Sequence, residues 1–104
     1  MIDARKHIIG KLIPFTDEAI TITDTSKKLT TAKLQSDPPP KQAIITVETA
    51  SLRYRLEGST PTSSVGHKIN ANSSLVLEGF TQLNNFRAIR TGSTSAKIYV
   101  TYLR

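Results

Sequence analysis

Few residues in this sequence are equipped for chemistry. The chain of 104 residues has no cysteine and two histidines, His7 and His67, so cysteine nucleophiles, thiolate metal sites and disulfides are excluded. A nucleophilic triad needs a nucleophile, a base and an orienting acid within hydrogen-bond reach. His7 or His67 would have to be that base, and neither stands in a catalytic motif. His67 follows Gly66 just past a turn and reads as a side chain that packs or bonds locally, and His7 as surface or interface. The two histidines are far apart, and Asp17, Glu18 and Asp24 are scattered acids, so no metal-ligand spacing arises. The glycines are isolated, which removes a phosphate loop. A carboxylate pair for glycoside hydrolysis would have to come from Glu48, Glu57 or Glu78, each better explained as the polar member of an alternating strand. The residues predict no enzyme, no cofactor and no metal.

Arginine is the remaining chemistry. In Leu52-Arg53-Tyr54-Arg55-Leu56-Glu57 apolar and charged residues alternate, so Leu52, Tyr54 and Leu56 share one sheet face and Arg53, Arg55 and Glu57 the other. A guanidinium on such a face can stack on a tyrosine or pair with acids of a partner, or simply be solvated. Arg53, Arg55, Arg87 and Arg90 are the candidate partner-contact residues, since arginine is enriched at interfaces where lysine is not.

The elements that would position them are short and β-like. The stretch Ala43 to Gly66 holds two strand patterns, Ala43 to Glu48 and Leu52 to Glu57, with room between them only for a tight bend or bulge. Gly58-Ser59-Thr60-Pro61-Thr62 then ends the second strand. Further strands are predicted at Glu18 to Asp24, Ser73 to Glu78, Phe86 to Arg90 and Ala96 to Leu103, with turns at Asp24-Thr25-Ser26 and Thr91 to Ser95. Leu29 to Leu34 leans towards β but is ambiguous, and Phe80 to Asn85 reads as a connection. Ser36 to Pro40 reads as a stiff exposed loop, with a polyproline ligand as its other reading. Residues Met1 to Phe15 form an arm or an edge strand, with Pro14 as a stop, and residues 16–104 one sandwich domain.

Composition sets the class. With 38% hydrophobic residues, no Trp and abundant Thr and Ser, the chain reads as all-β: an antiparallel β-sandwich, jelly-roll-like, with an N-terminal arm. No apolar run is long enough for a signal sequence or a membrane span, which predicts synthesis in the cytosol without export and no membrane partner. The net charge of +6 is spread along the chain, with Lys27-Lys28 the longest doublet. That dispersal argues against nucleic acid, whose binders concentrate charge on one element.

The run LRYRLEGSTPTSSVGHKINANSSLVLEG, followed by FRAIRTGSTSAKIYVTYLR, resembles a family of small virion-associated proteins of tailed bacteriophages and prophages. The matching positions are Arg53-Tyr54-Arg55, Gly58, Pro61-Thr62, Gly66-His67, Phe86, Ile89, and Val100 with Tyr102, and Glu57 stands where Asp is more usual. The turn GSTPT is also similar to a motif of small sandwich modules attached to sugar-degrading enzymes. The phage resemblance implies a non-enzymatic virion protein, in first place a capsid decoration or cement protein on the head exterior, partnered by the major capsid protein and assembled as a homo-oligomer, a trimer. A neck, tail or fibre subunit and a carbohydrate-binding module are the alternatives.

Overall fold

The computed structural model describes residues 12–104, and these form a mostly β protein. Among the described residues there are eight strands: β1 (Pro14–Ile22), β2 (Lys27–Lys28), β3 (Gln42–Glu48), β4 (Leu52–Arg55), β5 (His67–Ile69), β6 (Ser74–Glu78), β7 (Arg87–Arg90) and β8 (Ala96–Leu103). Two short helices interrupt them, α1 (Thr31–Leu34) and α2 (Phe80–Asn85). The strands make two antiparallel four-stranded sheets, a first in the order β1-β8-β3-β6 and a second in the order β2-β7-β4-β5.

This order follows one rule. β1 pairs with β8, β2 with β7, β3 with β6 and β4 with β5, so the chain runs as one long hairpin folded over on itself, its tip at the turn between β4 and β5. The Gly58 to Pro61 stretch, the densest turn signal in the sequence, lies in that tip. Gly66 closes the tip at φ +129°, where a Cβ would stand 3.0 Å from the Tyr54 carbonyl oxygen and 3.4 Å from side-chain carbons of Arg53 and Arg55. Only glycine suits both that backbone and that approach.

Alternation decides which side of each strand is buried. In β8 the side chains of Ala96, Ile98, Val100 and Tyr102 are buried while Lys97 and Tyr99 are exposed; in β3 Ala43, Ile45 and Val47 are buried while Ile44, Thr46 and Glu48 are exposed. These inner residues join Ile22 and Leu77 of the first sheet, Leu52 and Ala88 of the second, and Leu29, Leu34, Leu83 and Phe86 of the connections in one hydrophobic cluster. Burying a side chain of this size contributes about 1.5–3 kcal/mol, so the shared cluster is what holds the sheets together.

The tight bend expected between β3 and β4 is present, and it carries the chain from one sheet to the other, with Thr49 at φ +78°. A β-branched residue is an outlier in that region. Elsewhere the structure departs from the sequence expectations. Pro14 opens β1 rather than stopping an arm, as a first strand residue may lack a ladder donor; Met1 to Lys11 lie outside the described residues. Leu29 to Leu34 contains the α1 turn, and Phe80 to Asn85 is the α2 helix, whose Leu83 plugs the core. Pro40 is fully buried and the Pro38 carbonyl accepts from Arg104 Nη1 at 3.0 Å, so the Pro-rich loop is tied to the body at both points.

Candidate functional site

Register turns dispersed cations into a surface. On the outer side of the second sheet Lys28 stands opposite Arg87 and Arg87 opposite Arg55, forming one row across three strands. In the next row Ile89 stands opposite Arg53 and Arg53 opposite Lys68. Directly opposed residues have Cβ atoms about 4.5–5.5 Å apart, so five cations share one face. Three of the four arginines singled out from sequence are brought together here. Arg90 falls on the other side of β7, opposite Leu52 at the strand end, where Nη1 donates to Ser95 Oγ at 3.4 Å. Lys28 and Lys68 were not singled out from sequence; β2 and β5 are two and three residues long, too short for alternation to show which way they face.

Two of the arginines are held in place. Arg53 donates from Nε to the Ser63 carbonyl at 3.0 Å and from Nη1 to the Gly66 carbonyl at 2.9 Å. Arg55 forks onto Glu57, Nε to Oε1 at 3.1 Å and Nη2 to Oε2 at 2.7 Å, which holds the Glu57 carboxyl below its usual pKa. Among the described residues Lys28, Lys68 and Arg87 have no side-chain hydrogen bond or ion pair.

The outer side of the first sheet has the opposite character. Ile44 stands opposite both Val76 and Thr101, and Thr46 opposite both Ser74 and Tyr99. Ile44, Val76 and Tyr99 are each more than two-fifths exposed and form an apolar centre. Asp17, Glu48 and Glu78 stand around it with Lys97. The neighbouring Asp17 carboxylate keeps the Tyr99 phenol above the ordinary value.

Two polar arrangements lie elsewhere. The Glu18 carboxylate accepts from the Tyr102 hydroxyl and from the Thr30 hydroxyl and amide, pinning β1 and β8 to the turn after β2. Burial first, and then Glu18, raise the Tyr102 phenol far above its ordinary pKa. An open cleft of about 410 Å³ lies between the hairpin tip and the β7–β8 turn, lined by Asp24, Thr62, Ser63, Ile89, Arg90 and Thr91 among others. His67 packs its ring on Tyr54 at 5.4 Å between centroids, the local packing expected of it. Among the described residues no cluster of three histidine, cysteine, aspartate or glutamate side chains could hold a metal ion, and no helix is long and apolar enough to cross a membrane.

No protein-family model matches the chain, and no curated protein does.

Proposed function

We propose that the chain is a non-enzymatic structural protein of a phage virion, a decoration or cement protein that bridges major capsid subunits on the head exterior. The observation that carries the reading is the pair of unlike outer faces, one cationic and one apolar with acids around it. A module with two chemically distinct contact faces on one rigid body can join two different surfaces, which is what a cement must do. The same feature supports a closed homo-oligomer such as a trimer, because a ring joins unlike patches head to tail.

In this reading the two sheets form a sandwich of jelly-roll type: a long hairpin of eight strands, paired first to last, is the wound arrangement from which such a sandwich is made. The mechanism is mechanical. Each copy adds buried area and cross-links between shell subunits, and many modest contacts combine by multivalency. Particles assembled without the protein should break at a lower temperature than particles that carry it, read as release of packaged DNA on heating. Equal survival of the two would sink the cement reading. Copy number per particle separates it from a neck, tail or fibre subunit.

A second reading, a carbohydrate-binding module, draws on the cleft beside the GSTPT turn, which Asp24, Arg90, Thr62, Ser63 and Thr91 help to line. A sugar-dependent signal on a glycan array, lost in Arg90→Ala, is its test.

A further inference from the structure

We propose that the outer face of the β2-β7-β4-β5 sheet is a docking surface for a carboxylate-rich protein surface. The inference rests on the virion reading only in treating this face as a contact surface; it adds the chemistry of what is met there.

Folding alone gives no reason for the face. Lys28 opposes Arg87, Arg87 opposes Arg55 and Arg53 opposes Lys68, three like-charged cross-strand pairs, each of which weakens the sheet. A face that only needs to be soluble intersperses the two signs. Here Glu57, just beyond β4, is the one carboxylate beside the face in an ion pair among the described residues.

The face also shows which anion it suits. Arg55 already takes a carboxylate in a two-bond fork, with both contacts at 3.1 Å or less, the geometry that makes guanidinium selective for planar oxyanions. Arg53 is fixed by the Ser63 and Gly66 carbonyls, so little side-chain freedom remains to be lost on docking. Nucleic acid fits less well. A single strand needs aromatic platforms for its bases, and the aromatic side chain of β4, Tyr54, turns to the other side, where it packs on Phe86 and His67. Half-buried Ile89 stands among the cations. A phosphate backbone has no use for it, whereas the apolar centre of a protein interface does.

The test is fluorescence anisotropy of labelled poly-L-glutamate and of a labelled mixed-sequence duplex DNA of equal charge, titrated with the full chain. Arg87→Gln, Lys68→Gln and Lys97→Gln are compared, the last removing one positive charge from the opposite sheet; circular dichroism verifies that each variant is folded. Polyglutamate should bind at about 50 mM salt and weaken by about tenfold or more at about 200 mM. Arg87→Gln and Lys68→Gln should each weaken it several-fold, and Lys97→Gln should leave it unchanged. Absence of polyglutamate binding, tighter binding of the duplex, or an equal loss in Lys97→Gln would each overturn the proposal. The particle-heating experiment is independent: unchanged heat survival beside intact polyglutamate binding removes the cement reading and leaves the docking face standing, and the reverse result does the opposite.

Discussion

Tyr99 and Tyr102 belong to one strand and have opposite fates, one 43% exposed and the other 0%. Tyr102→Phe should lower unfolding stability by about 1–2 kcal/mol in urea, because a hydrogen bond to a charged group is lost, while Tyr99→Phe should change it by less than about 0.5 kcal/mol. The alkaline limb follows from the same phenol. Its folded pKa is raised by burial and by Glu18, whereas in the unfolded chain it ionises near about 10. Above that pH the unfolded state releases a proton that the folded state keeps, so stability falls as pH rises. Tyr102→Phe should flatten the fall, measured as urea midpoints from neutral to alkaline pH. The acid side belongs to Glu57, whose lowered pKa comes first from its bonds to Arg55. Its carboxyl carbon should titrate in NMR below the usual glutamate value of about 4.3, and Arg55→Gln should return it there. The stabilisation from that pair is present above the unfolded value and disappears as pH falls through the folded one.

At the scale of elements, the cationic rows offer a way to separate stability from docking. Arg87→Glu places a carboxylate between Lys28 and Arg55, turning two repulsive cross-strand pairs into attractive ones. It should raise stability by about 0.5–1 kcal/mol, a shift in melting temperature of a few degrees, while abolishing polyglutamate binding. Gained stability beside lost binding would separate the docking role of Arg87 from its part in the fold. Two backbone positions carry the turns. Gly66→Ala forces a Cβ against the Tyr54 carbonyl at positive φ and should cost more than 1 kcal/mol, on the order of the strain at such sites. Thr49→Gly should do the reverse at the crossing between sheets, by about 1 kcal/mol, since it relieves a β-branched residue at φ +78°.

At the scale of the molecule, the described chain is a hairpin whose first and last strands pair. β1 and β8 pair across nearly the full length of the described chain, and both contribute to the core through Ile22, Ile98, Val100 and Tyr102. Such non-local pairing makes for slow folding. The same closure leaves Ile44 and Val76 outward on the first sheet, away from the core. The double variant Ile44→Ser with Val76→Ser should therefore keep the melting temperature within a few degrees of the parent. In the virion reading it should weaken retention on particles, measured by co-sedimentation, and full retention would remove that face from the contact.

Local pattern was sufficient for most strands. β8 covers Ala96 to Leu103 as its run of β-formers predicts, and β3, β6 and β7 lie within a residue of their alternating stretches, because a strand that buries one side must alternate with period two. The turn at Gly58 to Thr62 was equally legible, as glycine and proline act through their own backbones. What no local signal carries is partnership. β3 and β4 are neighbours in sequence and belong to different sheets, while β1 and β8 are distant and pair; only the burial of one shared core decides between such arrangements. The same holds for the arginines. Alternation put Arg53 and Arg55 on one face, but their meeting with Arg87, Lys28 and Lys68, and the separation of Arg90 from them, depended on the register of four strands, and register is a property of the packed sheet rather than of any single strand.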